Sequence, residues 1–175
     1  VDVAFRCGVK ARLSPLIYSW FASAYRDGLL NLVSCSNGTV YLSYGYGGRV
    51  VEVGLRSGDV FTFRYLGRDV VLFLNGFSDA IFDVLFENFL GGTYDDLSVD
   101  GRVVVDVGAG VGDTAILFAL RGASRVIALE PYPALYSIAL RNIELNNVKD
   151  NKVIMQCSDQ AISAMLRLGF IPLNH

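Results

Sequence analysis

A chain of 175 residues with 53% apolar and 18% charged residues can bury a full core, which leaves no room for a disordered tail and allows one domain, or a small domain with an appendage. Its net charge of −2 comes without any basic run, so composition points away from a nucleic-acid partner. Cys7, Cys35 and Cys157 form no C-x-x-C pair and His175 is the sole histidine, a pattern that reads as reduced buried thiols of a cytoplasmic protein, with neither a disulfide scaffold nor a metal site. Ser19, Ser23 and Arg26 interrupt the most apolar stretch before it reaches the roughly 18 residues of a membrane span, and no signal peptide is apparent, so no membrane partner is expected.

Ser14-Pro15 is an N-cap followed by proline at the first helical position, and it predicts a helix from Leu16 to Arg26 that Gly28 ends. Leu16, Ile17, Trp20, Phe21 and Ala24 share its apolar face. Five β-type runs follow, Leu30–Cys35, Thr39–Tyr44, Arg49–Leu55, Val60–Tyr65 and Asp69–Leu74. Asn37-Gly38, Ser57-Gly58-Asp59 and Gly67-Arg68-Asp69 supply turns, so the runs read as an antiparallel meander. Tyr44-Gly45-Tyr46-Gly47-Gly48 reads as a mobile loop. Residues 78–90 are amphipathic, with Asp79, Asp83 and Glu87 on a wet face and Ile81, Phe82, Leu85, Phe86 and Phe89 on the other, and Gly91-Gly92 closes the helix. Residues 1–92 thus form an N-terminal helix, a meander and an amphipathic helix, and residues 93–175 a second region with a different pattern.

That second region alternates strand and helix, which predicts a parallel sheet. Val103–Val107 runs into Gly108-Ala109-Gly110-Val111-Gly112, and a helix pattern opens at Asp113. Gly108 permits a backbone conformation closed to other residues, Gly110 lets the main chain approach a ligand, and Gly112 lets the new helix pack close to the strand, with backbone N–H groups facing the ligand. The spacing is G-x-G-x-G, and the position a dinucleotide fingerprint gives its third glycine holds Asp113, whose carboxylate repels a pyrophosphate. S-adenosylmethionine has no phosphate and carries a sulfonium and an ammonium, so an acidic glycine turn suits it, with Asp106 placed to orient the ammonium. A second strand, Arg125–Glu130, ends in an acid 18 residues past Gly112, where Glu130 can accept both ribose hydroxyls or else cap the following helix. That helix, 133–146, precedes a third strand, Lys152–Cys157.

These residues resemble class I S-adenosylmethionine-dependent methyltransferases, and among them the FkbM-like family. The resemblance rests on V-V-V-D-V-G-A-G-V-G-D-T, on R-V-I-A-L-E-P-Y-P and on L-R-N-I-E-L-N-N-V, all between Val103 and Val153. It implies a Rossmann-like α/β fold. Asp106, Gly108, Gly110 and Gly112 would shape the methionine end of the pocket, Glu130 would hold the ribose, Tyr132 would stack near the adenine, and Asp159 would meet the adenine amino group. Asn142 and Asn146 read as helix-end and packing residues. The expected reaction is O-methylation of a small molecule or glycan, with no nameable catalytic base.

The chain departs from this family after Asp159, where the fourth strand cannot be identified and the C-terminal half of the sheet looks incomplete. The tail from Ala161 to Ile171 resembles the last helix and strand of such folds, so a discontinuity is expected around Gln156–Ala161. Val103–Val107 would then be a bare edge, to be covered by a partner or a second copy of the chain. The competing readings are a degenerate module that binds without transferring, and an NAD-linked oxidoreductase, which Asp113 disfavours.

Overall fold

Asn37 and Gly38 set the register of the first sheet, because both adopt positive φ, 49° and 73°, the requirement of a two-residue turn whose twist matches its strands. The computed structural model describes residues 1–46, 48–75, 84–148 and 153–157, and it divides the chain into two units, Val1–Asp95 and Asp96–His175. In the first, a hairpin of β1 (Asp2–Ala4) and β2 (Lys10–Arg12) precedes α1 (Pro15–Arg26). Then come β3 (Leu30–Ser36), β4 (Thr39–Tyr46), β5 (Arg49–Arg56), β6 (Val60–Tyr65) and β7 (Arg68–Phe73), paired antiparallel in that order. The meander is therefore as expected.

The cap of α1 is also as the sequence implies. The Ser14 hydroxyl accepts from the Ile17 N–H at 3.4 Å, while the Ser14 N–H donates to the buried Asp59 carboxylate at 2.9 Å. Ile17, Trp20 and Ala24 are buried, and Trp20 meets Tyr44 with ring centroids 5.4 Å apart. Tyr44 in turn meets Phe86 at 4.7 Å, and Phe63 meets Phe89 at 5.1 Å, so aromatic contacts tie residues 84–91 to the sheet. Their last turn, Glu87–Gly91, is π-helical and ends at Gly92 in the left-handed region. Asp79, Ile81, Phe82 and Asp83 lie outside the described residues.

Four expectations are corrected here. Leu16 is 48% exposed rather than part of the packed face. The segment Tyr44–Tyr46 is strand, because β4 stays paired until Tyr46 meets Arg49, and cross-strand hydrogen bonding outweighs the low strand preference of Gly45. The hairpin β1–β2 was not foreseen, being too short to show a period. Its turn, closed by Phe5 N–H donating to Val9 O at 2.9 Å, brings Cys7 beside Cys35 near the end of β3, and the two form a disulfide across 28 residues. Cys157 is free.

In the second unit, β8 (Val103–Val107), β9 (Arg125–Leu129) and β10 (Val153–Gln156) make a parallel sheet of order β10-β9-β8. Helix α2 (Asp113–Leu120) follows β8 and α3 (Pro133–Leu145) follows β9, the alternation a parallel sheet requires. Every residue from Asp113 to Ala119 is buried, which explains why α2 has no polar face. Asn147, with φ 53°, turns the chain out of α3, a conformation asparagine tolerates better than most residues. Among the described residues β8 lies at the sheet edge, with Val103 and Val107 exposed. No helix among them is long and apolar enough to cross a membrane.

The disulfide closes a long loop, so Cys35→Ser or reduction should lower the stability of the first unit by about 3 kcal/mol. Thermal melts with and without reductant measure it, and unchanged melting would show that the hairpin is held by packing alone.

Candidate functional site

Parallel pairing aligns the strand ends. Val107 lies opposite Leu129, and Leu129 opposite Gln156, so the glycine turn after β8, Glu130 after β9 and Gln156 at the end of β10 all stand at the carboxyl end of one sheet. This is where open α/β sheets bind ligands. Glu130 joins two of these pieces. One carboxylate oxygen accepts from the Gly110 N–H and the other from the Tyr132 N–H, each at 2.7 Å, and the residue is 2% exposed. Tyr132 is the N-cap of α3, so the acid both grips the glycine turn and caps the next helix.

Four of the five N–H groups of the turn, residues 108–112, are satisfied within the protein, which corrects the expectation that they face a ligand. Gly108 and Ala109 both donate to the Leu129 carbonyl, at 2.8 and 3.1 Å, Gly110 donates to Glu130, and Gly112 donates to the Ala109 carbonyl at 2.7 Å. These N–H groups therefore form no phosphate cradle. What Gly108 and Gly110 offer is space: both have positive φ, and a Cβ on either would meet nothing within 4 Å. Gly112 is different, since a Cβ there would lie 3.1 Å from the Ala139 Cβ. The close approach it permits is to α3, not to the strand.

Asp106 occupies the end of β8 and accepts a 2.6 Å hydrogen bond from the Thr114 hydroxyl on α2. Burial pushes its carboxyl above the usual carboxylate range; the Thr114 bond opposes that, and the negative charge of Glu130 adds to it. The carboxyl end of the sheet thus holds two acids whose charges repel. One contributor was missed in the sequence, Thr114. Asn142, read as a packing residue, is fully buried and donates to the Val111 carbonyl at 2.9 Å, fixing the turn from α3. Both roles lie in pairings between elements. The Gln156 side-chain oxygen is buried without a hydrogen-bond partner. Tyr132 is 69% exposed, and Asp159 lies outside the described residues. Among the described residues no group of three or more acids, cysteines or histidines could hold a metal.

Comparison with known proteins places this arrangement. Residues 93–165 match the model of the TRM5/TYW2 methyltransferase domain. Over 56 residues the chain is 41% identical to ribosomal protein L11 methyltransferase of Carboxydothermus hydrogenoformans, covering 32% of this chain and 18% of that protein. Among solved structures, TYW2 of M. jannaschii in complex with AdoMet is similar at 24% identity and TM-score 0.41, covering 67% of this chain and 48% of that one. The complex of aTrm5 with tRNALeu is similar at 19% identity and TM-score 0.39, covering 82% and 41%. The chain spans less than half the length of each of these relatives.

Topology and family match agree on the class: the second unit has the α/β fold of class I methyltransferases, whose cofactor is S-adenosylmethionine. The finer FkbM-like resemblance is not supported, because the matching model is that of TRM5/TYW2. The expectation that nucleic acid is no partner is overturned by the same match. The small-molecule or glycan acceptor is likewise not supported, the similar curated protein being named for ribosomal protein L11.

The rise in Asp106 means that the folded chain holds its proton more tightly than the unfolded chain. Ligand-free stability should therefore fall as pH rises from the unfolded carboxylate value through the folded one. Asp106→Asn keeps an acceptor for Thr114, removes that slope, and should raise stability at neutral pH by roughly 0.5–2 kcal/mol. Urea unfolding at pH 4 to 7 tests this, and a destabilised variant would show that Asp106 is held by favourable charges.

Proposed function

We propose that the protein is an S-adenosylmethionine-dependent methyltransferase acting on RNA, with residues 1–92 as a flanking region and 93–175 as the cofactor core. The observation that carries the cofactor reading is the buried Glu130 bridge between Gly110 and the start of α3, with open space above Gly108 and Gly110. The residues present fit the cofactor. Asp106, raised by burial and by Glu130, is relieved by an ammonium. Each Glu130 oxygen accepts one backbone N–H and keeps a second lone pair for a ribose hydroxyl. At 2% exposure that carboxylate must be uncovered first, and the cost enters the binding free energy. Gly108, Gly110 and Gly112 shape the methionine end, Tyr132 offers an exposed ring for the adenine, and Asp159 is assigned to the adenine amino group. The unpartnered Gln156 oxygen is a further acceptor at that sheet end.

When bound, the cofactor supplies a methyl group already activated by its sulfonium. The chain's own part is to orient it, keep water away and hold the acceptor in line. The RNA acceptor is supported by the TRM5/TYW2 domain match. The match to ribosomal protein L11 methyltransferase favours a protein acceptor as the second reading.

Calorimetry with S-adenosylhomocysteine should show binding that Glu130→Gln weakens about tenfold to a hundredfold, and no binding of NAD. With S-adenosylmethionine, binding should strengthen as pH rises past the raised Asp106 value and should release protons below it, read as a dependence of the heat on buffer ionisation enthalpy. Equal affinity of wild type and Glu130→Gln would sink the cofactor reading. Labelled methyl donor should mark tRNA. Label on ribosomal protein alone would establish the second reading, and binding without transfer to either would leave a module that does not catalyse.

A further inference from the structure

The first unit contains a pocket that the cofactor reading leaves unused. It has a volume of about 490 Å³, within the roughly 300–1,000 Å³ usual for small-ligand sites. Its walls come from β1 and the turn after it, from α1, and from β3 and β4. Phe21 and Tyr25, one helical turn apart on α1, lie with ring planes within 7° of parallel and centroids 6.3 Å apart. They therefore present π-faces of one orientation. Phe5 stands edge-on to Phe21 at 5.6 Å and 88°. Tyr25 is 53% exposed, which leaves aromatic surface in water.

Arg6 brings a cation to the lining, whereas Asn31, consecutive with Leu32 on β3, turns its side chain to the other face of the sheet from Leu32 and Leu42. Although the chain is acidic overall, no carboxylate lines this pocket, and among the described residues none pairs with Arg6. Lys10 and Arg12 follow on the same hairpin, but Arg12 is committed to Asp2 at 2.8 Å, which leaves Arg6 as the cation facing the cavity. A ligand that suits this set has a flat π-system and a negative charge. Stacking on aromatic rings with an arginine on the phosphate is the general chemistry of unpaired nucleotides.

We infer that this pocket binds a nucleotide, with its base on Phe21 and Tyr25 and its phosphate on Arg6. The ligand is either a free mononucleotide or an unpaired position in a strand. The Cys7–Cys35 disulfide belongs to the device: Cys7 directly follows Arg6 and Cys35 lies on β3, so the bond joins two of the walls.

The test is calorimetry on the full chain with adenosine, AMP, a six-residue single-stranded RNA and the same RNA as a duplex. AMP should bind, Tyr25→Ala should weaken adenosine and AMP alike by roughly tenfold or more, and Arg6→Gln should weaken AMP while leaving adenosine unchanged. Both side chains are exposed, so melting curves of the variants should match wild type, and their affinity for S-adenosylhomocysteine should not move. Reduction of the disulfide should weaken AMP binding in wild type. A single strand that binds far more tightly than AMP assigns the site to strands, and equal affinity assigns it to mononucleotides. The inference is overturned if no nucleotide binds, if S-adenosylhomocysteine competes with AMP, if the duplex binds as well as the single strand, or if neither variant changes the affinity.

Discussion

The second unit depends on one buried carboxylate. Glu130 holds the Gly110 N–H with one oxygen and the Tyr132 N–H with the other. A buried acid is expensive unless its lone pairs are met, and hydrogen bonds to a charged group contribute roughly 1.5–3 kcal/mol each. Two such bonds to two separate elements convert that cost into a constraint: the turn after β8 and the start of α3 cannot shift independently. The Leu129 carbonyl, which accepts from both Gly108 and Ala109, and the Asn142 amide on the Val111 carbonyl complete the same clamp. The turn is therefore held in place with open space above Gly108 and Gly110, and four of its five N–H groups are already satisfied.

A tension exists at Asp106. Its own burial raises the cost of ionising it, the Thr114 hydroxyl compensates only in part, and the charge of Glu130 adds to the cost. Without a ligand, Asp106 opposes stability at neutral pH; with a cation beside it, the same charge becomes favourable. Strain that a ligand relieves is a common way for a binding site to differ from a packed core. Overall charge says nothing about the local charge of one site. Arg6, in a pocket without carboxylates on a chain of net charge −2, makes the same point in the first unit.

Sequence alone determined the elements whose causes are local. Asn37-Gly38 demanded a tight turn, Ser14-Pro15 a helix start, and the apolar runs with three glycines and Glu130 a strand-turn-helix unit with an acid after its next strand, because turn geometry, capping and strand alternation act within a few residues. Only tertiary structure decided what depends on residues distant in the chain. Cys7 and Cys35 meet because a short hairpin folds over β3, Gly112 serves α3 because Ala139 lies against it, and the N–H groups of Gly108, Ala109 and Gly110 are satisfied because β9 presents Leu129 and Glu130 at that height. Residues 20 to 30 apart carry no local signature of their pairing. Strand register and helix packing bring them together, and those are set by the burial of the whole core.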